Sequence, residues 1–187
     1  MKFNYYAFKA IYLHEMDRFK RTLMQSLLSP VLSTSLYFIV FGSVIGGYVE
    51  NIDGISYGSY IVPGLLMLTL LTQSISNTSF GIFFPKFNGT IYEILAAPIS
   101  TLEIVLAFVG AGATKTLIVG FVIFITATFF VEVDVKYPLL MIFLLVLVAF
   151  TFALFGFLIG LMSSNFEQMS ICLLYTSPSP RDVEESR

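Results

Sequence analysis

The side chains that could do chemistry are few in this sequence. Its 187 residues include one cysteine and one histidine, Cys172 and His14, so neither a disulfide nor a histidine- or cysteine-based metal site is expected. The sequence contains no G-x-x-x-x-G-K-[ST] phosphate loop and no nucleophile paired with a base. We therefore predict no catalytic residue, no bound metal, no cofactor and no enzymatic activity in this chain.

The most informative polar groups lie in the segment 84–103, FPKFNGTIYEILAAPISTLE. Thr90 and Glu93 have the S/T-x-x-E spacing of a capping box, in which the hydroxyl and the carboxylate each accept a backbone N–H at the start of a helix. Pro98 disfavours helical geometry at Ala97. The helix that begins at this box should therefore be only about two turns long.

A second capping pattern follows directly, because Ser100 and Glu103 have the same spacing and predict the start of the next helix. Within the short helix, Ile91, Ile94 and Leu95 lie at the spacing of one face, which would suit docking against a protein or a membrane. A well-capped loop without a docking role has the same pattern. The residues alone leave both interpretations open.

Another group of polar residues lies inside an apolar run. Thr69, Gln73 and Asn77 follow one another at i, i+4 spacing, and polar groups in a membrane need hydrogen-bond partners. They would either line a substrate pathway or make hydrogen bonds between helices. Lys115 is the one charge within the apolar runs, and its ammonium would either snorkel to lipid phosphates or attract an anionic headgroup.

These residues must be positioned by membrane-spanning helices. The chain is 57% hydrophobic and 12% charged, whereas about a quarter of the residues in a soluble domain are charged. Four apolar runs each exceed the roughly 20 residues needed to cross a bilayer. We predict an all-α membrane protein with an N-terminal amphipathic interfacial helix and four complete spans. The predicted boundaries are 1–29 for the interfacial helix, 30–174 for the transmembrane domain, about 30–49, 58–84, 104–131 and 138–162 for its spans, 169–175 for an incomplete fifth span and 175–187 for a polar tail.

The N-terminal helix is predicted from apolar residues that recur every three or four positions, with charged residues such as Arg18 facing away from them. Such a helix would lie on membrane lipid. Because the first 21 residues hold half of the basic residues, the N-terminus and the loop that contains Lys86 are predicted to be cytoplasmic. A net charge of −2 argues against a nucleic-acid partner. The apolar stripe comprises Tyr5, Phe8, Tyr12, Met16, Phe19 and Leu23.

Glycines and prolines predict where helices start and where they pack closely. Gly42 with Gly46 and Gly156 with Gly160 form two G-x-x-x-G pairs, which allow neighbouring membrane helices to approach. Pro30 suits the first turn of the first span, where a missing N–H costs little.

The segment from Lys86 to Ser100 resembles the signature segment of the permeases of type-2 ATP-binding cassette (ABC) exporters. The stretches 63–67, PGLLM, and 110–114, GAGAT, are also similar to this family. The resemblance implies a six-span fold and a coupling helix that contacts a separate ABC ATPase, which would bind ATP and magnesium. The residues of this chain that match the coupling segment are Thr90, Ile91, Tyr92, Glu93, Ile94, Leu95 and Pro98.

The resemblance also implies pairing with a second permease, either a copy of this chain or a sister subunit, in the bacterial cytoplasmic membrane. The complex would export an amphipathic, drug-like, polysaccharide or lipid-linked substrate, and Thr69, Gln73, Asn77 and Lys115 are the candidates for lining its path. The alternative is a four-span scaffold or assembly protein that recruits a cytosolic partner through the loop 88–98.

The C-terminal residues differ in composition from the rest. The fifth apolar run, residues 169–175, is too short to cross a membrane, whereas the resembled family has six spans. The string from Leu174 to Asp182 resembles translated adapter sequence from environmental sequencing. We therefore expect a permease truncated at its C-terminus with a foreign tail.

Overall fold

The computed structural model describes residues 4–40, 57–131 and 137–176, and within these ranges it contains helices and no strand. Four helical segments are long and apolar enough to span a membrane: Leu23–Val40, Ser59–Phe87, Thr101–Phe130 and Pro138–Met162. The predicted all-α membrane fold is therefore confirmed. The helices are α1 (Tyr5–Arg21), α2 (Leu23–Tyr37), α3 (Tyr57–Phe87), α4 (Ile91–Ala96), α5 (Thr101–Phe130), α6 (Pro138–Met162) and α7 (Phe166–Thr176).

Helix α5 is the centre of the described structure, since α1, α2, α3 and α6 all pack against it. Its buried face is rich in small residues, including Ala107, Ala111 and Gly112, which lets neighbouring backbones come close. Larger side chains fill the remaining space, and Phe108 packs against Phe157 of α6 with ring centroids 6.4 Å apart. Four helices are thus positioned by their contacts with one.

The α3–α6 pair shows the close approach that the second glycine pair predicts. A Cβ on Gly156 would lie 2.5 Å from the carbonyl oxygen of Ile75, and one on Gly160 would lie 2.7 Å from that of Ser79. Any larger residue would force the two backbones apart. The packing role of Gly156 and Gly160 is confirmed, whereas Gly42 and Gly46 lie outside the described residues.

Helices α1 and α2 follow each other along α5, separated only at Thr22. The prediction that Pro30 begins the first span is wrong, because α2 begins at Leu23 and Pro30 lies inside it. The early start has a tertiary cause: Leu23 and Leu27 pack with Phe19 against α5, and packing of an apolar face supplies most of a helix's stability. The second half of the predicted span 30–49 lies outside the described residues.

The apolar stripe of α1 is only partly the face that packs. Phe19 is buried and Tyr12 is half-buried, but Tyr5 is exposed. The packed face also contains Glu15, which is 2% exposed, and Arg18, which is half-buried. The prediction that Arg18 faces away is therefore wrong, because the buried carboxylate of Glu15 forms an ion pair with its guanidinium and compensates its charge.

Candidate functional site

The short helix predicted before Pro98 is present as α4, six residues long. Gly89 makes the turn that precedes it, with a φ of +79° that residues with a side chain rarely adopt. At the other end Ala97 is extended, with a ψ of 150°, as expected for a residue before proline. Helix α4 is therefore a separate element between the long helices α3 and α5.

The predicted capping box at the start of α4 is wrong. Thr90 already has helical geometry, with φ −61° and ψ −20°, and its side chain makes no capping hydrogen bond. A capping hydroxyl requires an extended backbone at its own residue, and the turn at Gly89 places Thr90 inside the helical turn instead. The contact between Thr90 and Glu93 is a backbone one, in which the N–H of Glu93 donates to the carbonyl of Thr90 at 3.1 Å.

The two faces of α4 are also divided differently from the prediction. Ile91 and Ile94 are half-buried and pack against the core cluster of α3, α5 and α6. Tyr92 and Leu95 are 73% and 61% exposed, and Glu93 is exposed beside them. The docking face proposed from Ile91, Ile94 and Leu95 is therefore corrected: the isoleucines hold α4 in place, while its outer face presents Tyr92, Glu93 and Leu95.

Both sides of α4 are tied to the long helices by polar contacts. Before it, the ammonium of Lys86 donates to the carbonyl oxygens of Leu161 at 2.6 Å and Ser163 at 2.8 Å. These carbonyls belong to the C-terminal end of α6, where cations are favoured. The contacts join the end of α3 to the end of α6, so the segment that leads into α4 is anchored to both helices.

After α4, Glu103 forms the second predicted contact and one that was not predicted. Its Oε2 accepts the N–H of Ser100 at 3.0 Å, which is the expected contact at the start of α5. Its Oε1 accepts the N–H of Asn4 at 2.6 Å. One buried carboxylate therefore joins the exit from α4, the start of α5 and the start of α1.

The polar residues of α3 divide between packing and a cavity. Thr69 donates to the carbonyl of Leu65 in its own helix at 2.8 Å, while the neighbouring Ser74 donates across to Ala149 of α6 at 2.6 Å. Ser79 makes the same kind of contact with Gly156 at 2.7 Å. All three hydroxyls donate to backbone carbonyls, and those of Ser74 and Ser79 do so between helices, as in interhelical packing.

A cavity of about 570 Å³ lies where α1, α3 and α5 meet beside the turn that precedes α4. Of the four predicted lining residues it brings together two, Asn77 and Lys115, and it adds His14 and Arg18 of α1 and Thr90. Thr69 and Gln73, further along α3, lie outside its lining.

Lys115 does not have the lipid-facing environment predicted for a snorkelling lysine, and its attraction of an anionic headgroup stays a prediction. Its side chain is buried, with 3% of the residue exposed, and its ammonium pairs with Glu15 Oε2 at 2.7 Å. The same oxygen is 3.0 Å from the guanidinium of Arg18. Snorkelling to lipid phosphates is therefore wrong for Lys115, since an internal carboxylate compensates its charge.

The residues that sequence reasoning missed are those of α1 that bind α5. Glu15, Asn4 and Tyr12 all contact it, the last through a hydrogen bond of 3.0 Å to the hydroxyl of Thr114. One signal was present: a lone buried lysine requires an acidic partner, and Glu15 adjoins the apolar stripe of α1.

Comparison with known proteins agrees with this architecture. The ABC-2 type transporter family matches residues 6–176. Proteins named inner membrane transport permease YadH from Escherichia coli K12, Escherichia coli O157:H7 and Shigella flexneri are each 37% identical over 165 residues, or 88% of this chain. The chain spans 64% of the length of these relatives. No solved structure matches it. The four long apolar helices, the short helix between the second and third of them and these matches show that the chain belongs to the ABC-2 type transporter family.

Proposed function

We propose that this chain is the membrane-spanning permease part of an ATP-driven ABC exporter. A separate ABC ATPase would bind ATP and magnesium and contact α4, and a second permease copy would complete the transport path. The family match and the relatives named transport permeases support this proposal. The relatives' names also support a place in a bacterial inner membrane, and the basic N-terminal residues support a cytoplasmic N-terminus.

The observation that carries the proposal is the arrangement of α4. Its outer face exposes Tyr92 and Leu95, and Phe87 beside it is also exposed. An exposed apolar face on a short helix is a surface that a partner protein would cover. On its inner face, Ile91 and Ile94 pack against the core cluster, so a displacement of the helix would be transmitted directly to the core.

Displacement of α4 would pass to the membrane helices through two fixed points. Lys86 holds the end of α3 to the end of α6, and Glu103 holds the start of α5 to the start of α1. Elements tied at their ends move as bodies in domain rearrangements. ATP-driven movement at α4 would therefore shift α3 against α5, which together border the cavity.

For the substrate we propose an amphipathic, drug-like, polysaccharide or lipid-linked molecule. Among the α3 residues that line the cavity, the polar one is Asn77. Thr69 and Gln73 remain candidates for the same path further along α3.

The test is Glu93→Ala in the full permease assembled with its ATPase. Glu93 is exposed and makes no cap to Thr90, so its loss should leave stability unchanged while reducing transport per ATP hydrolysed by about tenfold, in the range of coupling energies between sites. Transport and ATP hydrolysis are measured together in proteoliposomes.

The matched control is Glu167→Ala, because Glu167 is an exposed acid in the first turn of α7. This variant should transport normally. If the Glu93→Ala and Glu167→Ala proteins transport the same amount of substrate per ATP hydrolysed, Glu93 of α4 has no coupling role. A scaffold protein, the alternative function, would show no ATP-dependent transport with any of these variants.

A further inference from the structure

The cavity between α1, α3 and α5 is a cleft that runs along these helices. At one end it is lined by Asn88 and Thr90, two exposed residues of the turn before α4. At the other end it is lined by Asn77 of α3 and by Thr22, which follows α1. The chain rises by roughly 16 Å from Asn77 to Asn88, at about 1.5 Å for each helical residue. The cleft therefore leads from the surface beside α4 to the interior of the helix bundle.

The inner end of the cleft lies at the level of the second half of α5. Phe19 lines the cleft and belongs to one core cluster with Val119 and Ile123 of that helix. Helix α5 is apolar and long enough to cross a membrane. The cleft thus extends between helices that span the membrane and is not confined to the membrane surface.

Arg18 determines which solvent suits the cleft. Its guanidinium pairs with Glu15 Oε2 at 3.0 Å, yet 33% of its side chain is exposed, and it belongs to the cleft lining together with the exposed residues His14 and Thr22. Contact between a charged side chain and hydrocarbon is costly, so ionisable residues within membrane domains face other protein groups or water. The exposed part of Arg18 is therefore expected to meet water.

The aromatic residues of the cleft do not form a separate apolar surface for a lipid chain. Phe80 and Phe84 lie one turn apart on α3, with ring centroids 6.0 Å apart, and the guanidinium of Arg18 lies 5.8 Å from the Phe84 centroid. A lipid chain in the cleft would have to lie against this cation. Water has ample room, because a cavity admits one molecule at about 15 Å³ and the cleft measures about 570 Å³.

We propose that the cleft is a water-filled inlet, which opens at the turn before α4 and brings water and small hydrophilic molecules to Thr22 inside the membrane domain. The rival occupant is a lipid acyl chain. The inlet needs neither ATP nor an ATPase. The proposal is thus independent of coupling through α4, and either one can fail without the other.

The experiment measures the reactivity of single cysteines in sealed membrane vesicles that contain the full chain with Cys172→Ser. Thr22→Cys reports on the inner end of the cleft, Phe80→Cys on its wall and Asn88→Cys on its mouth. The reagents are a cationic, an anionic and a neutral methanethiosulfonate. Reagents of both signs separate access from attraction or repulsion by Arg18. The ratio of charged to neutral reaction rates removes differences in thiol reactivity.

The matched control is Phe121→Cys. Phe121 lies between Val119 and Ile123 in the sequence of α5, is 65% exposed and is outside the cleft lining, so it is at the same level on the outer face of that helix. The ratio for Thr22→Cys and Phe80→Cys should be within about tenfold of that for Asn88→Cys, whereas that for Phe121→Cys should be at least about a hundredfold lower, because a charged reagent must enter hydrocarbon to reach it.

The side of the membrane provides a second readout. In inverted and right-side-out vesicles, Thr22→Cys should react with charged reagents added on the side from which Asn88→Cys reacts. Thermal melts establish that the variants are folded. Thr22→Cys decides the test alone if Phe80→Cys is not, since Thr22 is exposed and cysteine is similar to threonine in size.

Three results would overturn the proposal. If Thr22→Cys has a ratio as low as that of Phe121→Cys, acyl chains and not water fill the cleft. If Thr22→Cys reacts only from the side opposite to Asn88→Cys, the cleft does not open beside α4. If Phe121→Cys reacts with charged reagents as readily as Thr22→Cys, water reaches this level of the protein without passing through the cleft.

Discussion

The α3–α6 and α1–α5 interfaces are held together by different chemistry. In the first, glycines bring two backbones into contact, and Ser74 and Ser79 donate to carbonyls of the opposite helix. In the second, polar groups meet in order along both helices: the backbone N–H of Asn4 donates to Glu103, the Tyr12 hydroxyl donates to Thr114, and Glu15 pairs with Lys115.

The difference follows from what each helix pair must achieve. Two apolar helices in lipid gain little from burying apolar surface, so they associate through close packing and short hydrogen bonds. Helix α1 is more polar, and the side chains of Tyr12 and Glu15 both reach partners on α5, Thr114 and Lys115, which fixes one register between the two helices. Close packing thus holds α3 to α6, whereas charge pairing specifies where α1 lies.

The largest expected effect comes from Lys115→Met. It leaves Glu15 buried with Arg18 as its remaining partner, and breaking a buried pair costs about 3 kcal/mol. The loss should be local, so amide hydrogen exchange in α1 should accelerate by about a hundredfold while α3 and α6 stay protected. Exchange measured by mass spectrometry checks this.

The double variant Glu15→Gln, Lys115→Met sharpens the same comparison. Removing both charges removes the unpaired carboxylate, so α1 should be better protected than in Lys115→Met alone. Equal exchange in the single and double variants would mean that the ion pair does not position α1.

Gly156→Ala should have the next largest effect. Its Cβ would lie 2.5 Å from the Ile75 carbonyl oxygen, and overpacking of this kind costs about 2 kcal/mol. The unfolding free energy is measured by detergent denaturation in mixed micelles. Gly110→Ala is the control, because a Cβ there meets nothing within 4 Å; a similar loss in both variants would refute the close-packing explanation.

Glu103→Gln tests whether one carboxylate joins α1 to the start of α5. The amide keeps a single acceptor oxygen for the two N–H donors of Asn4 and Ser100, so the fold should lose about 1.5 kcal/mol. Exchange should rise at the first turns of α1 and α5 together. A change confined to α5 would show that the contact with Asn4 contributes nothing.

Ser74→Ala should have the smallest effect. Interhelical hydrogen bonds in membranes average about 0.6 kcal/mol. The carbonyl of Ala149 that loses the serine donor lies inside α6, where it remains part of the helical hydrogen-bond ladder. Denaturation in mixed micelles should therefore show a much smaller change than Gly156→Ala. A loss as large as that of Gly156→Ala would mean that the serines, and not the glycines, hold α3 to α6.

Features encoded within a few residues could be predicted. Pro98 predicted where α4 ends, and the spacing of Gly156 and Gly160 predicted a closely packed helix face. Ser100 and Glu103 predicted the contact at the start of α5. Each depends on neighbouring backbone geometry, which a short stretch of sequence specifies.

The errors involve partners that are distant in sequence. Glu15 and Lys115 are 100 residues apart, so no local spacing relates them. The sequence alone predicts that Lys115 either snorkels to lipid phosphates or attracts an anionic headgroup. Periodicity places Ile91, Ile94 and Leu95 on one face of α4 but does not show what that face contacts, so the sequence leaves a docking helix and a plain capped loop both open. Thr90 does not act as a cap because the turn at Gly89 places its backbone in the helical conformation.

The sequence by itself determined the helices, the membrane class and the short helix before Pro98, since apolar length and local backbone preference suffice for these. Only the tertiary structure showed that Glu15 of α1 compensates the charge of Lys115. It also showed that Tyr92 and Leu95 form the exposed face of α4 and that Arg18 and Asn77 line the same cavity. The physical reason is that charge compensation and burial depend on which helices meet, and helix contacts are set by packing across the whole fold.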